Sequence, residues 1–293
     1  MLKSSKYYPF IELNLSFILM STSGLFGKII PLTPATIIFY RCLIAGLILL
    51  GLLLVRGKLK LNWQNHRGFF LTSSLLVTLH WVSYFQAIKL AGVALAMLAL
   101  FTYPVITSLL EPVFFKTRHS KLELFSSVVV LVGLWIILPE FSLGNQSIQG
   151  VLLGLGSAVL YAVRNIMNRR QINNYGGTQI MCYQLLLSAG FLLPLMIIKT
   201  EPVAASNWPN LILLAVITTA IAHTLFVKGL SHFTTSTVSI LSCLTPVYGI
   251  LWAVWLADEK LTGAIIIGGL VIISTTILQS VQHYRKPKPA NRV

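Results

Sequence analysis

The chain has 293 residues, of which 56% are hydrophobic and 10% charged, with a formal net charge of +15 at pH 7 and a mean hydropathy of +0.81. A soluble domain carries about 25% charged residues because its surface faces water. This composition therefore excludes a water-covered enzyme, a nucleic-acid-binding module and a disordered chain, and makes the lipid bilayer the expected partner.

A helix needs about 20 mostly apolar residues to cross the hydrocarbon. Runs of that kind lie at 10–30, 35–55, 68–88, 94–115, 121–138, 148–170, 177–199, 209–229, 235–257 and 262–283. They predict an all-α polytopic membrane protein of ten transmembrane helices, with connections too short to hide a soluble domain. The first run exceeds the apolar region of a cleaved signal peptide and is expected to stay as an anchor. Cys42, Cys182 and Cys243 lie inside runs without paired spacing, so no disulfide, metal site or cofactor is expected.

Polar groups inside these runs are costly and each needs a reason. In chain order the first is Arg41, about 10 Å inside the outer end of the second span. It either holds a substrate carboxylate or phosphate as a planar fork, or bonds carbonyls of a neighbouring broken helix, or snorkels outward. The third span carries His80, Trp81 and Tyr84 near mid-depth, and the fourth Tyr103 and Pro104. Ser157, Tyr161, Arg164, Asn165 and Asn168 form one stripe of the sixth span, which lipid would not tolerate and which is expected to line a cavity. Gln184 lies in the seventh span, His223 and Phe226 in the eighth, and Pro246, Tyr248 and Trp252 in the ninth. Mid-span rings either offer faces and hydroxyls to an amphipathic ligand or pack between helices, whereas Trp63, Trp135 and Trp208 fit an interfacial belt. Pro104 and Pro246 are read as hinges or as static bends. No Asp or Glu lies deep in a span, so the buried field is positive and favours an anionic or zwitterionic ligand over a lipophilic cation.

With both termini cytoplasmic, 17 of the 22 Lys and Arg residues fall on the inner side, four on the outer side, and Arg41 within the membrane; a basic excess on the cytoplasmic side is the expected orientation. The two halves also resemble each other. A shift of 142 places Tyr103-Pro104-Val105 on Thr245-Pro246-Val247 and Tyr84 on Phe226, and a shift of 143 places Tyr40-Arg41 on Tyr183-Gln184. Five spans per half reverse the second half, so residues 1–143 and 144–293 are expected to form two inverted five-helix repeats, an architecture of secondary transporters.

Leu244-Thr245-Pro246-Val247-Tyr248-Gly249, followed by Asp258-Glu259-Lys260-Leu261-Thr262, resembles the last-but-one helix of the EamA-type family of the drug/metabolite transporter superfamily. Phe39-Tyr40-Arg41-Cys42-Leu43-Ile44-Ala45 resembles its second helix, and Gly150 to Arg170 its sixth. Two departures stand out: Lys116-Thr117 replaces the Glu that often follows the fourth helix, and the first helix reads Ser21-Thr22-Ser23-Gly24 at its aromatic-Gly landmark. The resemblance implies a ten-helix permease or exporter of small metabolites.

No Walker A pattern is present, so transport is expected to be secondary, moving a small polar or amphipathic metabolite such as an amino acid outward across the cytoplasmic (inner) membrane, with the protein working as a monomer. The expected substrate-binding residues are Arg41, His80, Trp81, Tyr84, Tyr103, Tyr161, Arg164, Asn165, Gln184, His223, Tyr248 and Trp252. The alternatives are a polytopic enzyme acting on a lipid-linked substrate and a non-transporting membrane sensor or assembly factor; the seven scattered acidic residues speak against the enzyme.

Overall fold

A computed structural model describes residues 8–59, 63–115, 121–137, 144–226, 242 and 244–285. Every regular element among them is helical: α1 (Tyr8–Ile29), α2 (Pro34–Val55), α3 (Trp63–Leu100), α4 (Tyr103–Phe115), α5 (Lys121–Ile137), α6 (Gln146–Tyr175), α7 (Gly177–Ile198), α8 (Trp208–Leu213), α9 (Leu244–Ala257) and α10 (Gly263–Arg285). α8 passes directly into a π-helical stretch, Leu214–Ile221, and the apolar helix that contains both runs from Ala205 to Phe226.

Local chemistry sets the helix ends. Thr33 caps α2, its hydroxyl accepting from the Thr36 amide, and Pro34 follows where no amide is needed. Asn145 caps α6 in the same way through the Ser147 amide. Gly176, at φ +70°, ends α6 and begins α7, a turn that a side chain would strain.

Among the described residues, six helices are long and apolar enough to cross a membrane: Phe10–Ile29, Pro34–Val55, His66–Leu100, Gln146–Ile172, Gly177–Ile198 and Ala205–Phe226. These coincide with the first, second, third, sixth, seventh and eighth predicted runs. Phe125–Ile137, Leu244–Ala257 and Gly263–Thr275 are shorter apolar helices. The predicted fourth span is divided. Its first residues continue α3 beyond a kink at Gly92, φ +82°, and the rest form α4 after a break at Phe101-Thr102. Pro104 therefore stands in the first turn of α4 rather than in a helix interior, while Pro246 lies within α9. A proline is tolerated in a first turn, so the discontinuity in this segment is at 101–102. The start of the ninth predicted span, the basic residues Lys3, Lys6, Lys60, Lys116, Arg118, Lys228, Lys286, Lys288 and Arg292, and residues 139–143 of the 139–149 connection lie outside the described residues.

The burial pattern is that of a membrane protein. Large apolar side chains face outward: Trp135 is 69% exposed, Trp255 76% and Ile198 77%. Ser16, Ser73, Ser157, Gln184, Ser188, Thr218 and Thr219 are fully enclosed. Trp208 packs edge-on against Tyr40, ring centroids 5.0 Å apart.

α3 is central, packing on α6, α7 and α1, while α2 lies on α7, α1 on α9, and α5 on α10. Gly150 and Gly154 let α6 approach α3 closely: a Cβ at Gly150 would lie 2.5 Å from the Ala91 Cβ, and one at Gly154 2.7 Å from the Ala99 Cβ. Small residues four apart permit this backbone approach in membranes, where association depends on van der Waals contact. The kink in α3 is fastened from outside. Glu259, just past α9, accepts from the amides of Val93 (3.0 Å) and Ala94 (2.9 Å) and pairs with Lys28 at the end of α1 (3.1 Å). A carboxylate at a fresh helix N-terminus satisfies donors that have no intrahelical partner.

Candidate substrate cavity

The helices converge on a cavity enclosing about 610 Å³ of empty space, counting its open mouth. α1 supplies Phe17, Met20 and Ser23; α2 supplies Arg41; α3 supplies His80, Trp81 and Tyr84 before its kink and Met97 and Leu100 after it, and the break that follows supplies Phe101. Tyr103 of α4, Tyr161 of α6, His223 and Phe226 beyond the π-helical stretch, Ser242, and Thr245 of α9 complete the wall. The break at 101–102 thus opens directly onto the cavity. Non-helical backbone at membrane depth is tolerated where it lines such a space.

Arg41 is 1% exposed. Its Nε donates to the Thr219 hydroxyl at 2.6 Å and its Nη1 to the Ser23 hydroxyl at 3.3 Å. The guanidinium lies 4.3 Å from the centroid of the Trp81 ring and 5.7 Å from that of Phe85, a cation–π arrangement that gains strength when desolvated. The partners shown are hydroxyls and ring faces, and no carboxylate lines the cavity among the described residues.

The π-helical stretch positions this group. A widened turn displaces carbonyls from the α-helical ladder. Here Leu214 O accepts from the hydroxyls of Thr218 (2.6 Å) and Thr219 (3.3 Å), and Thr218 O accepts from the Nδ1 of His223 (2.8 Å). Thr219 is thereby fixed as the acceptor for Arg41. His223 packs perpendicular to Trp81, ring centroids 5.7 Å apart, so Trp81 contacts both the guanidinium and one imidazole. On the other side His80 stacks on Tyr161, centroids 4.6 Å apart. Its Nδ1 reaches Ser157 Oγ (2.7 Å) and Ser157 O (3.1 Å), and Ser157 Oγ donates back to His80 O (2.9 Å). Tyr103 and Ser242 share a hydroxyl hydrogen bond of 2.9 Å.

Arg41, His80, Trp81, Tyr84, Tyr103, Tyr161 and His223 of the expected set are therefore brought together. The others are placed elsewhere. Arg164 is buried between α6 and α7, where Nε and Nη2 donate to Gln184 Oε1, Nη1 to Asn165 Oδ1, and Nη2 also contacts Met181 Sδ. Gln184 in turn donates to Asn168 (2.8 Å). The polar stripe of the sixth span thus divides: Tyr161 lines the cavity, Ser157 fixes His80, and Arg164, Asn165 and Asn168 join Gln184 in a polar contact between helices. Trp252 donates to Ser21 Oγ (3.1 Å) and ties α9 to α1, while Tyr248 is half-buried away from the lining. Thr219 and Ser23, which hold Arg41, were not singled out from the sequence; the signal available was the pair Thr218-Thr219 within an apolar run.

The EamA-like transporter family model matches residues 12–138 and 148–281. The chain is 24% identical over 290 residues to the "Uncharacterized transporter YwfM" of Bacillus subtilis, covering 93% of this chain and 95% of that one. It is 26% identical over 243 residues to the "Pseudopaline exporter CntI" of Pseudomonas aeruginosa, covering 83% and 84%. With the "Uncharacterized inner membrane transporter YicL" of Salmonella typhimurium it shares 27% identity over 263 residues, covering 85% and 86%. A solved crystal structure matches its fold with a TM-score of 0.69 at 18% identity, covering 96% of this chain and 99% of that one. A multi-pass helical bundle around a largely apolar cavity that holds a buried arginine, matched by one family model across most of its length, places the chain in the EamA-like transporter family.

Proposed function

We propose that this protein is a secondary transporter that moves a small polar or amphipathic metabolite, such as an amino acid, outward across the cytoplasmic (inner) membrane by alternating access. Its ten spans form two inverted five-helix repeats, 1–143 and 144–293, and it works as a monomer with both termini in the cytoplasm. The observation that carries the reading is Arg41: a guanidinium buried at the cavity wall, aligned by Thr219, Ser23 and Trp81, with no carboxylate beside it among the described residues. Such a group lowers the cost of bringing an anionic head out of water.

Three residue pairs related by the offset of 142 line the same cavity, namely Trp81 with His223, Tyr84 with Phe226, and Tyr103 with Thr245. This supports a site between the repeats, where rocking of one half against the other exposes it to each side in turn. The names of two relatives, an exporter and an inner membrane transporter, support the direction and the membrane. With no carboxylate lining the cavity among the described residues, the reading favours facilitated diffusion or substrate exchange.

Comparing intracellular and extracellular metabolites of a deletion strain with and without the restored gene tests this. The deletion strain is expected to retain at least one small anionic or zwitterionic metabolite that the restored strain releases. Identical profiles in both compartments would overturn the reading.

A further inference from the structure

One end of the cavity is shut by close packing. Tyr84 and Met97 line the cavity and stand against Gly24 of α1, where a Cβ would lie 2.8 Å from Val93 Cγ1, 3.3 Å from the Tyr84 hydroxyl and 3.6 Å from Met97 Sδ. Gly249 of α9 faces the same Met97 with no room for a side chain. One turn farther from the cavity, at Lys28 of α1 and Val93 of α3, the packing gives way to a polar clamp centred on Glu259. Its Oε2 accepts from the Val93 amide (3.0 Å) and from Lys28 Nζ (3.1 Å), and its Oε1 from the Ala94 amide (2.9 Å). One carboxylate just past α9 thereby joins the end of α1 to the segment of α3 that restarts after the kink.

Both sides of this contact are shaped for it. Asp258 turns the chain at φ +49°, a conformation Asp adopts more readily than most residues, and the Glu259 amide then donates to Ala253 O (3.1 Å). Opposite, Gly92 is at φ +82°, and a Cβ on it would lie 2.9 Å from Glu259 Oε1. The kink and the approach of the carboxylate both require glycine there. The Glu259 side chain is 12% exposed and that of Lys28 34%, so water reaches the clamp and can replace its bonds. The offset of 142 puts Lys116-Thr117 on Asp258-Glu259. The acid therefore has no acidic counterpart at that place in the first half.

We propose that Glu259 is the latch of a gate at this end of the cavity, the outer end in the orientation given above. It holds α1, α3 and α9 together while the cavity is closed there, and it must leave the Val93 and Ala94 amides and Lys28 for the cavity to open outward. This rests on the reading of the cavity as an alternating-access transport site. Charge-assisted bonds to two otherwise bare amides outweigh a partly exposed ion pair, so the amides are the main part of the latch and Lys28 the lesser. Being one-sided, the latch weights the equilibrium toward the outward-closed state. It sets how often the outer side opens and not the net direction of movement, because a contact that favours one state shifts populations without driving flux.

The test measures how fast a water-soluble maleimide labels a buried reporter cysteine in the purified full chain, with Cys42, Cys182 and Cys243 replaced by alanine. Val93→Cys keeps its backbone amide and reports from beneath the clamp, where Val93 is fully buried. Leu98→Cys is the control: it is equally buried on the same segment but faces Gly269 of α10. Glu259→Ala should speed labelling at position 93 about tenfold or more, with Glu259→Gln and Lys28→Met in between and position 98 unchanged. No acceleration at 93, or equal acceleration at 93 and 98 from a general loosening of the fold, would overturn the proposal. A second measurement locks the gate. Lys28→Cys/Glu259→Cys, bridged by a short cross-linker that a reductant cleaves, is placed in liposomes loaded with a cytoplasmic metabolite extract. Release should stop while the bridge is intact and resume once it is cleaved; equal release in both conditions would also overturn the latch. Absence of release from the wild type would instead remove the transport reading, and the labelling rates would still decide whether Glu259 holds this end shut.

Discussion

Arg41 joins two tasks that a substitution can separate. It ties α2 to α1 and to the π-helical stretch through Ser23 and Thr219, and it presents a charge to the cavity. Arg41→Gln keeps a hydrogen-bonding side chain and matches Gln184, its counterpart in the other half, so it should insert and fold. Binding of an anionic ligand should still fall at least tenfold, since hydrogen bonds to charged groups are worth about 1.5–3 kcal/mol. Ligand binding and flux at matched protein abundance check this; wild-type values in the variant would remove Arg41 from the site. The sequence exposes Arg41, His80 and His223 because a charge or an imidazole in a long apolar run is costly. It conceals Ser23 and Thr219, because hydroxyls on a membrane helix can satisfy themselves on their own backbone. Thr22 and Thr224 do so through Leu19 O and Ala220 O.

At the scale of elements, close backbone approach is the main determinant of how α3 meets α6. Gly150→Val should lower the thermal midpoint in detergent, because its branches would have to enter the space of Ala91, and overpacking typically costs about 1–3 kcal/mol. Gly156, two residues from Gly154, has open space around it, so Gly156→Ala should leave stability unchanged or raise it by up to about 1 kcal/mol through helix propensity. Equal effects at the two positions would contradict the packing account.

A second element-level device is Glu201, which lies between α7 and α8 and accepts from the Thr33 amide and hydroxyl at the start of α2. Burial pushes its carboxyl upward, but the hydrogen bonds from Thr36 and Thr33, together with the Lys89 charge, outweigh this and hold it below its ordinary value. A depressed value in the folded state adds stability above the ordinary carboxylate range, and that contribution is lost as pH falls through the folded value. The stability difference between the wild type and Glu201→Gln should therefore be present near neutrality and vanish between about pH 5 and pH 3. A difference independent of pH would show that the charge is not responsible. The division of the fourth span was only partly legible. Gly92 and Pro104 mark its neighbourhood, but the apolar run from 94 to 115 is unbroken in composition. The residues that leave the helix, Phe101 and Thr102, are ordinary helix residues whose placement is set by the cavity they border.

For the whole molecule, composition was the most legible feature: so few charges require lipid, and the outward-facing Trp135, Trp255 and Ile198 accord with that medium. Membership of the family was legible in the order of the motifs along the chain. Which helix contacts which was not, because a membrane helix that is apolar all round carries no strong face signal, and small residues such as Gly150 and Gly154 decide the partner instead. The basic asymmetry predicts that reporter fusions after Val293 and within 139–149 will fall on opposite sides of the membrane; the same side for both would contradict ten spans.

The central claim is that this chain alone carries a small metabolite across a bilayer without ATP. Liposomes containing the purified protein, loaded with a cytoplasmic metabolite extract and placed in ATP-free buffer, test it by mass spectrometry of what leaves. The account predicts selective release of at least one small anionic or zwitterionic metabolite, chemically unaltered and faster than from empty liposomes. Release no different from empty liposomes, or the appearance of a converted product without net release, would contradict it.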